Sequence, residues 1–363
     1  MLLVADTERV LAYNSTAHDI WCALRRDEPP AQVAAALAAR FALESAVAVA
    51  AVDTIVAHWR AEGLFAATPA IGASGPSASV PQRHSFTREP VWARTWTCRL
   101  GDHFVELAVD HAAAATLLAG PLAPCVMTAA APSARVEVRT VAEGELLISR
   151  DGRARRRVAG RYGLKEGVYL ALLETLWPDR EVDTLVHAGA VARGGRSVCL
   201  AATSGRGKTT LVAHLLSRGY DYVTDDLSAL DVGGDVLPLP TRMSVKEGSW
   251  GLLASAFPSL ETTMPGAGPR TQWLAPPLTA TPPSPLAALV FPTYGAGRPV
   301  LLQAIRPLES FMRLQEAGVW LGHPLTEARV TRLARRLETV PAYALDYGDL
   351  DDAAAAIDRL LPR

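Results

Sequence analysis

The stretch VCLAATSGRGKTTLVAHLLSR, Val198 to Arg218, constrains the fold more than any other part of the chain. It opens on a short apolar run, preceded by Gly194-Gly195-Arg196, that reads as a buried strand. It closes on TTLVAHLLSR, whose apolar residues recur at helical spacing. Ser204-Gly205-Arg206-Gly207-Lys208-Thr209 lies between the two. A glycine-rich turn from strand to helix is the context a phosphate-binding loop of Walker A type requires. Successive backbone amides wrap a phosphate there, and the helix N-terminus adds a favourable dipole. The expected fold class is therefore α/β, and the expected cofactors are ATP and Mg2+. Ser204, Gly205, Arg206, Gly207, Lys208, Thr209 and Thr210 form the candidate nucleotide-contacting set. Lys208 reaches the outer phosphates and Thr209 offers its hydroxyl to the metal. The first glycine of the usual pattern is absent, because position 202 is Ala. That costs little if φ there is negative and is a problem only if φ is positive.

The flanks narrow the chemistry. YDYVTDD follows the helix and reads as a second strand ending at Asp225 and Asp226. Residues just past the carboxyl ends of strands converge on the ligand in α/β sheets. One carboxylate there holds a metal water; a second can take the proton from an attacking hydroxyl. Both serving the metal, or capping a turn, is an equal alternative for Asp225. His187, in LVHAGAVA, stands near a strand end upstream; taken alone it reads as a core histidine.

Composition excludes several classes. The 363 residues suggest more than one domain, and a net charge of −1 gives no global attraction to nucleic acid or anionic membrane. Cys22, Cys98, Cys125 and Cys199 are far apart, with no CxxC pair, and read as free thiols of a reducing compartment. MLLVADTERV carries early acids and no signal-peptide pattern. The uncharged stretch 112–134 is broken by Gly120, Pro121, Pro124 and Pro132, so it is not expected to span a membrane. A cytoplasmic protein is expected.

Residues 1–66 form a first module. LLVAD and RVLAYN read as short strands. A helix follows with Ala17, Ile20, Trp21 and Leu24 on its apolar face, then a second starting at Pro29-Pro30, then a third ending near Gly63. Two strands and three helices make a small winged-helix-like α+β domain. The order "strand, LAYNSTAHDIW, helix, AQVAAALAARF, helix ending AEGLF" resembles the PqqD-like family. The resemblance implies recognition of the leader of a ribosomally made precursor peptide, added as an extra strand. A DNA-binding winged helix and a mere packing appendage are the alternatives; against the first, the Ala/Val-rich third helix offers few basic residues to a groove. Residues 67–90 read as a flexible linker, centred on AATPAIGASGPSASVPQ. Residues 91–184 read as a β-rich region, with strands TWTCRL, HFVELAV, ARVEVRTV and ELLISR and then one helix, RYGLKEGVYLALLETLW. Residues 185–363 form the P-loop core. Within it, 263–297 is Pro-rich around one apolar strand, PLAALVF, and reads as a cover over the site or a surface loop. The C-terminus reads as two amphipathic helices around PAYALDY, packing elements of that core.

His187, the loop at 204–209, Arg218-Gly219 and Val223-Thr224-Asp225-Asp226 together resemble HPr kinase/phosphorylase and its related kinases. The resemblance implies that Lys208 neutralises phosphate charge, Thr209 binds magnesium and Asp226 acts as base toward the accepting hydroxyl. It makes Asp225 the metal-side neighbour and places His187 near the transferred phosphate. It also points to Arg242 and Lys246 as phosphate or substrate contacts, Glu247 as a second metal ligand and Arg270 as a contact to the γ-phosphate. Related kinases form rings, so a homo-oligomer is open. Thr210 stands where bifunctional members carry an acid, and their later glycine-rich signature is not recognisable, so phosphorolysis is not expected. The two resemblances together imply an ATP-dependent kinase acting on a Ser or Thr hydroxyl of a leader-bound precursor peptide, with no nucleic acid or membrane partner. A small-molecule hydroxyl kinase and a non-catalytic nucleotide-dependent adaptor are the alternatives.

Overall fold

The computed structural model describes residues 2–4, 9–11, 17, 20–21, 23–24, 26, 28–41, 43–61, 90–100, 103–122, 131–142, 144–258, 271–275, 282–322 and 325–361. The chain divides into two compact units, Met1–Ser79 with His323–Thr331, and Val80–Gly322 with Arg332–Arg363.

In the smaller unit, β1 (Leu2–Val4) and β2 (Arg9–Leu11) pair antiparallel, Leu2 opposite Leu11. Positions 17, 20, 21, 23 and 24 are helical, followed by α1 (Pro30–Phe41) and α2 (Ser45–Ala61). The apolar faces meet as the sequence periodicity requires. Ala17, Ile20, Val33, Leu37, Val52, Val56 and a fully buried Trp59 share one core. Trp21 meets Trp59 edge-on at 5.3 Å. The expected cap at Gly63 and the expected linker, but for Pro90, lie outside the described residues.

Among the described residues the larger unit holds a five-stranded sheet, a ten-stranded sheet and a separate two-stranded pair, Met243–Lys246 with Thr271–Leu274. The first is β3 (Arg94–Leu100), β4 (His103–Val109), β5 (Ala134–Ala142), β6 (Glu145–Arg150) and β7 (Arg153–Ala159), in that order. Only the β4–β5 pair in it is parallel among the described pairings. A parallel pair needs a crossover, and α3 (Ala112–Leu122) lies in that connection. Residues 112–122 of the uncharged stretch are thus a helix, a role that its reading as a non-membrane segment did not supply. β7 was also unseen, because RARRRVA has long basic residues on both faces and no apolar alternation. Next come α4 (Gly160–Leu176), β8 (Val182–Val186), β9 (Ala188–Arg193), β10 (Arg196–Ala201), α5 (Lys208–Ser217) and β11 (Asp221–Thr224). β8 runs across the boundary expected after residue 184.

The chain continues through β12 (Ser228–Asp231), β13 (Asp235–Leu237), β14 (Met243–Lys246), α6 (Trp250–Leu253), β15 (Thr271–Leu274) and β16 (Ser284–Tyr294). It ends with β17 (Leu301–Ile305), α7 (Pro307–Ala317), β18 (Val319–Trp320), α8 (Glu327–Thr339), β19 (Ala342–Tyr347) and α9 (Leu350–Asp358). The second sheet runs β11-β9-β10-β16-β13-β12-β8-β18, with β19 between β16 and β17. β16 pairs parallel with β10 and β19 and antiparallel with β13. PLAALVF is a strand, as its apolar run suggests, and it lies in the interior of the sheet, buried from Leu286 to Phe291, rather than in a cover or a surface loop. Residues 263–270 and 276–281 on either side lie outside the described residues.

One hydrophobic core joins the two sheets: Trp96, Leu107, Leu118, Val136, Ile148, Tyr169 and Leu172 cluster with Leu185, Leu227, Ala229 and Leu237. A second packs α5 and α9 on β10, β16 and β19 through Leu211, Leu215, Val290, Leu345 and Ile357. Beneath α8, the fully buried Asp183 is held by Arg332 at 2.6 Å and Arg336 at 3.4 Å.

Candidate active site

The turn from β10 to α5 carries the phosphate-loop residues. Gly205 and Gly207 both sit at φ +90, where a side chain would be strained. Among the described residues only Asp151 combines a side chain with positive φ, so Ala202 has an ordinary backbone. This is why the loop dispenses with its first glycine. Gly207 is the N-cap of α5, and no side chain caps the helix. Its first-turn amides point into the loop, as anion sites at helix N-termini do.

Three elements aim side chains here. From α5, Lys208 is buried, and its Nζ donates to the backbone oxygen of His187 at 3.3 Å. Thr209 Oγ1 donates to Asp225 Oδ2 at 3.0 Å. Asp225 is also buried, and its Oδ1 has no hydrogen-bond partner among the described residues. From the end of β11, Asp226 pairs with Lys165 of α4 and lies 3.2 Å from His187 Nε2. His187 Nδ1 faces the Ala317 carbonyl at 3.2 Å.

Burial dominates the electrostatics. It pushes Asp225 up to about 6, against Lys208, the Thr209 hydroxyl and, most weakly, the Ser244 amide. It brings Lys208 down to about 8, against Asp225, while Lys165 and Lys246 add to the drop. It takes His187 down to about 4, with Lys208 and Lys165 adding to the drop. The imidazole is thus neutral at pH 7 and donates from one nitrogen only. Its two acceptors would both be served only by the charged ring.

A desolvated lysine beside a carboxylate oxygen without a partner is a site short of ligands: an anion would relieve the first and a cation the second. Magnesium is bound by one or two carboxylates, waters and substrate phosphates rather than by an all-protein cage. Thr209 and Asp225 fit that donor set. No group of three His, Cys, Asp or Glu forms a metal cluster among the described residues. Glu247 is exposed and joins no such group with Asp225 and Asp226.

The remaining candidates divide. Lys246 comes to the loop, donating to Ser204 Oγ at 2.9 Å. Thr210 shares a 2.5 Å hydrogen bond with Ser249. Arg206 is exposed, and its carbonyl accepts from the Tyr294 amide at 3.3 Å. Arg242 is half-buried, with its amide donating to Pro121. Arg270 lies outside the described residues.

Sequence reasoning missed Lys165, Glu166 and Tyr347. Tyr347, on the C-terminal strand β19, donates to the Gly207 carbonyl at 3.3 Å and meets Tyr294 edge-on. Lys165 and Glu166 belong to a helix read only as amphipathic, and no local signal marks them. Cys98 and Cys199 are buried, and burial pushes the Cys199 thiol up to about 12. No described helix is long and apolar enough to cross a membrane.

Residues 1–64 match the family model of PqqD, Coenzyme PQQ synthesis protein D. No match to the chain is found among curated proteins.

Proposed function

We propose that the chain is an ATP-dependent kinase that phosphorylates a Ser or Thr hydroxyl of a ribosomally made precursor peptide. The PqqD match at residues 1–64 supports a part in precursor-peptide modification, with that module holding the leader. The observation that carries the kinase reading is the convergence of Lys208, Thr209, Asp225, Asp226 and His187 on one glycine-turned loop. Magnesium, when bound, neutralises charge building on the phosphates. Lys208 and the first-turn amides of α5 hold the phosphate oxygens, while Thr209 and Asp225 hold the metal side. Asp226 accepts the hydroxyl proton as the acceptor oxygen bonds to the terminal phosphorus. The bond from that phosphorus to the bridging oxygen breaks, leaving ADP. His187 braces Asp226 and orients it.

The test is intact-mass analysis of short peptides encoded beside the gene, incubated with protein, ATP and magnesium. One phosphate is expected with wild type, and a loss of about 10²–10⁴ in rate with Asp226→Asn, nucleotide binding being retained. A nucleotide-dependent adaptor needs no base. ATP-linked behaviour unchanged in Asp226→Asn, with no phosphate transferred by wild type, would establish that alternative instead.

A further inference from the structure

Beside Asp226 lies a cavity of about 410 Å³ that the phosphate loop does not use. Among the described residues its polar lining is Lys165, Glu166, His187 and Asp226. The rest of its side-chain lining is apolar, with Leu117, Leu185, Val319 and two indoles, Trp273 and Trp320, among it. A pocket of this size falls in the range of small-ligand sites, about 300–1,000 Å³. It admits one or two side chains, not the face of a folded partner.

The walls are built to stay in place. Val319 and Trp320 of β18 pair with Val186 and Leu185 of β8. Gly318 stands at φ +108, and its carbonyl accepts from the His187 amide at 2.8 Å. The Trp273 indole rests on the backbone of α3, since a Cβ added at Gly120 would stand 2.5 Å from its ring. Two walls come from the middle region, α3 with Leu117 and Pro121 and α4 with Lys165 and Glu166. The β-rich region at 91–184 thus supplies walls of this cavity. Lys165 joins the two halves through its ion pair with Asp226.

We infer that this cavity is the acceptor subsite, and that it selects a hydroxyl residue flanked by a bulky apolar side chain. The inference rests on the kinase reading above. The acceptor hydroxyl meets Asp226, and the neighbouring apolar side chain fills the space between Leu117, Val319 and the two indoles. A charged neighbour would give up its water against that apolar surface, and an acidic one would also meet the carboxylates of Glu166 and Asp226, while a glycine would leave the pocket unfilled.

Four peptides of the form acetyl-X-Ser-X-amide, with X as Gly, Leu, Phe or Asp, test it on the full chain. Binding is read by calorimetry with magnesium and a non-hydrolysable ATP analogue, and transfer by mass with ATP. The Leu and Phe peptides should bind at least tenfold tighter than the Gly peptide, and the Asp peptide weakest. Leu117→Trp and Val319→Phe, which fill the pocket, should each erase that preference by bringing the Leu and Phe peptides down to the affinity of the Gly peptide. The two substitutions lie on different elements, so misfolding of one leaves the other informative. Equal affinity across the four peptides overturns the subsite, as does phosphate transfer at equal rates for every X, which leaves the kinase reading intact. Apolar selectivity without any transfer keeps the pocket's recognition and overturns the kinase reading instead.

Discussion

Burial favours the neutral forms of both Asp225 and His187, against its neighbours at Asp225 and with the help of Lys208 and Lys165 at His187. Asp225 is raised to about 6, so between about pH 4 and 6 the folded chain keeps a proton that the unfolded chain has released. Stability therefore falls as pH rises through that window. The full cost above it is about 3 kcal/mol, for roughly two units at 1.36 kcal/mol each. His187 is depressed to about 4, so its contribution is present above about pH 6.5 and lost as pH falls toward 4. The two slopes oppose and flatten the wild-type curve. Urea unfolding at pH 4, 5, 6 and 7 should show Asp225→Asn more stable than wild type at pH 7, with the gain gone near pH 4. His187→Gln should improve relative to wild type on acidification. Parallel curves for all three proteins would refute both assignments. Magnesium with nucleotide should stabilise wild type and fail to stabilise Asp225→Asn, because the ion supplies what the buried carboxylate lacks.

The strand, glycine turn and helix at 196–217 were legible because they are contiguous in sequence, glycines and lysine following one another between the two. Even the anomaly of that turn was decidable in form, since only the sign of φ at position 202 mattered. Ala202→Gly should leave the dissociation constant for ATP within twofold and lower stability by at most about 1 kcal/mol. Gly207→Ala has no such freedom. Its φ is +90 and an added methyl runs into Tyr347, so nucleotide affinity should fall at least tenfold in the same titration. Other elements were legible as types but not as roles. Helix α4 shows its apolar face in sequence, but nothing local says that Lys165 will meet Asp226 across 60 intervening residues. PAYALDY is readable as a strand, yet the donation from Tyr347 to the loop exists only once β19 lies beside β16. Lys165→Met tests the first of these. Steady-state kinetics should show kcat reduced about tenfold with KM for ATP unchanged, the pattern of a residue that positions the base. A raised KM for ATP with normal kcat would instead make Lys165 a phosphate contact.

At the scale of the whole chain, the pattern of burial decides which pieces can be separated. The shared core of the two sheets means that a fragment starting at residue 185 would expose Leu185, Leu227, Ala229 and Leu237 along one face. It should be insoluble, whereas the chain from 67 onward keeps both sheets and both walls of the cavity. That difference makes the role of residues 1–66 measurable. A tethered leader converts a bimolecular encounter into an intramolecular one, with gains of about 10²–10⁴ from effective concentration alone. A chain lacking residues 1–66 should therefore bind ATP as before and phosphorylate a leaderless acceptor peptide at the wild-type rate. On the full precursor at low micromolar concentration, its kcat/KM should drop by about that same factor. Adding the leader as a separate peptide should inhibit the full chain by competition and leave the truncated chain unaffected. Equal kcat/KM on the full precursor for both chains would remove the tether from the mechanism and assign acceptor choice to the site beside Asp226 alone.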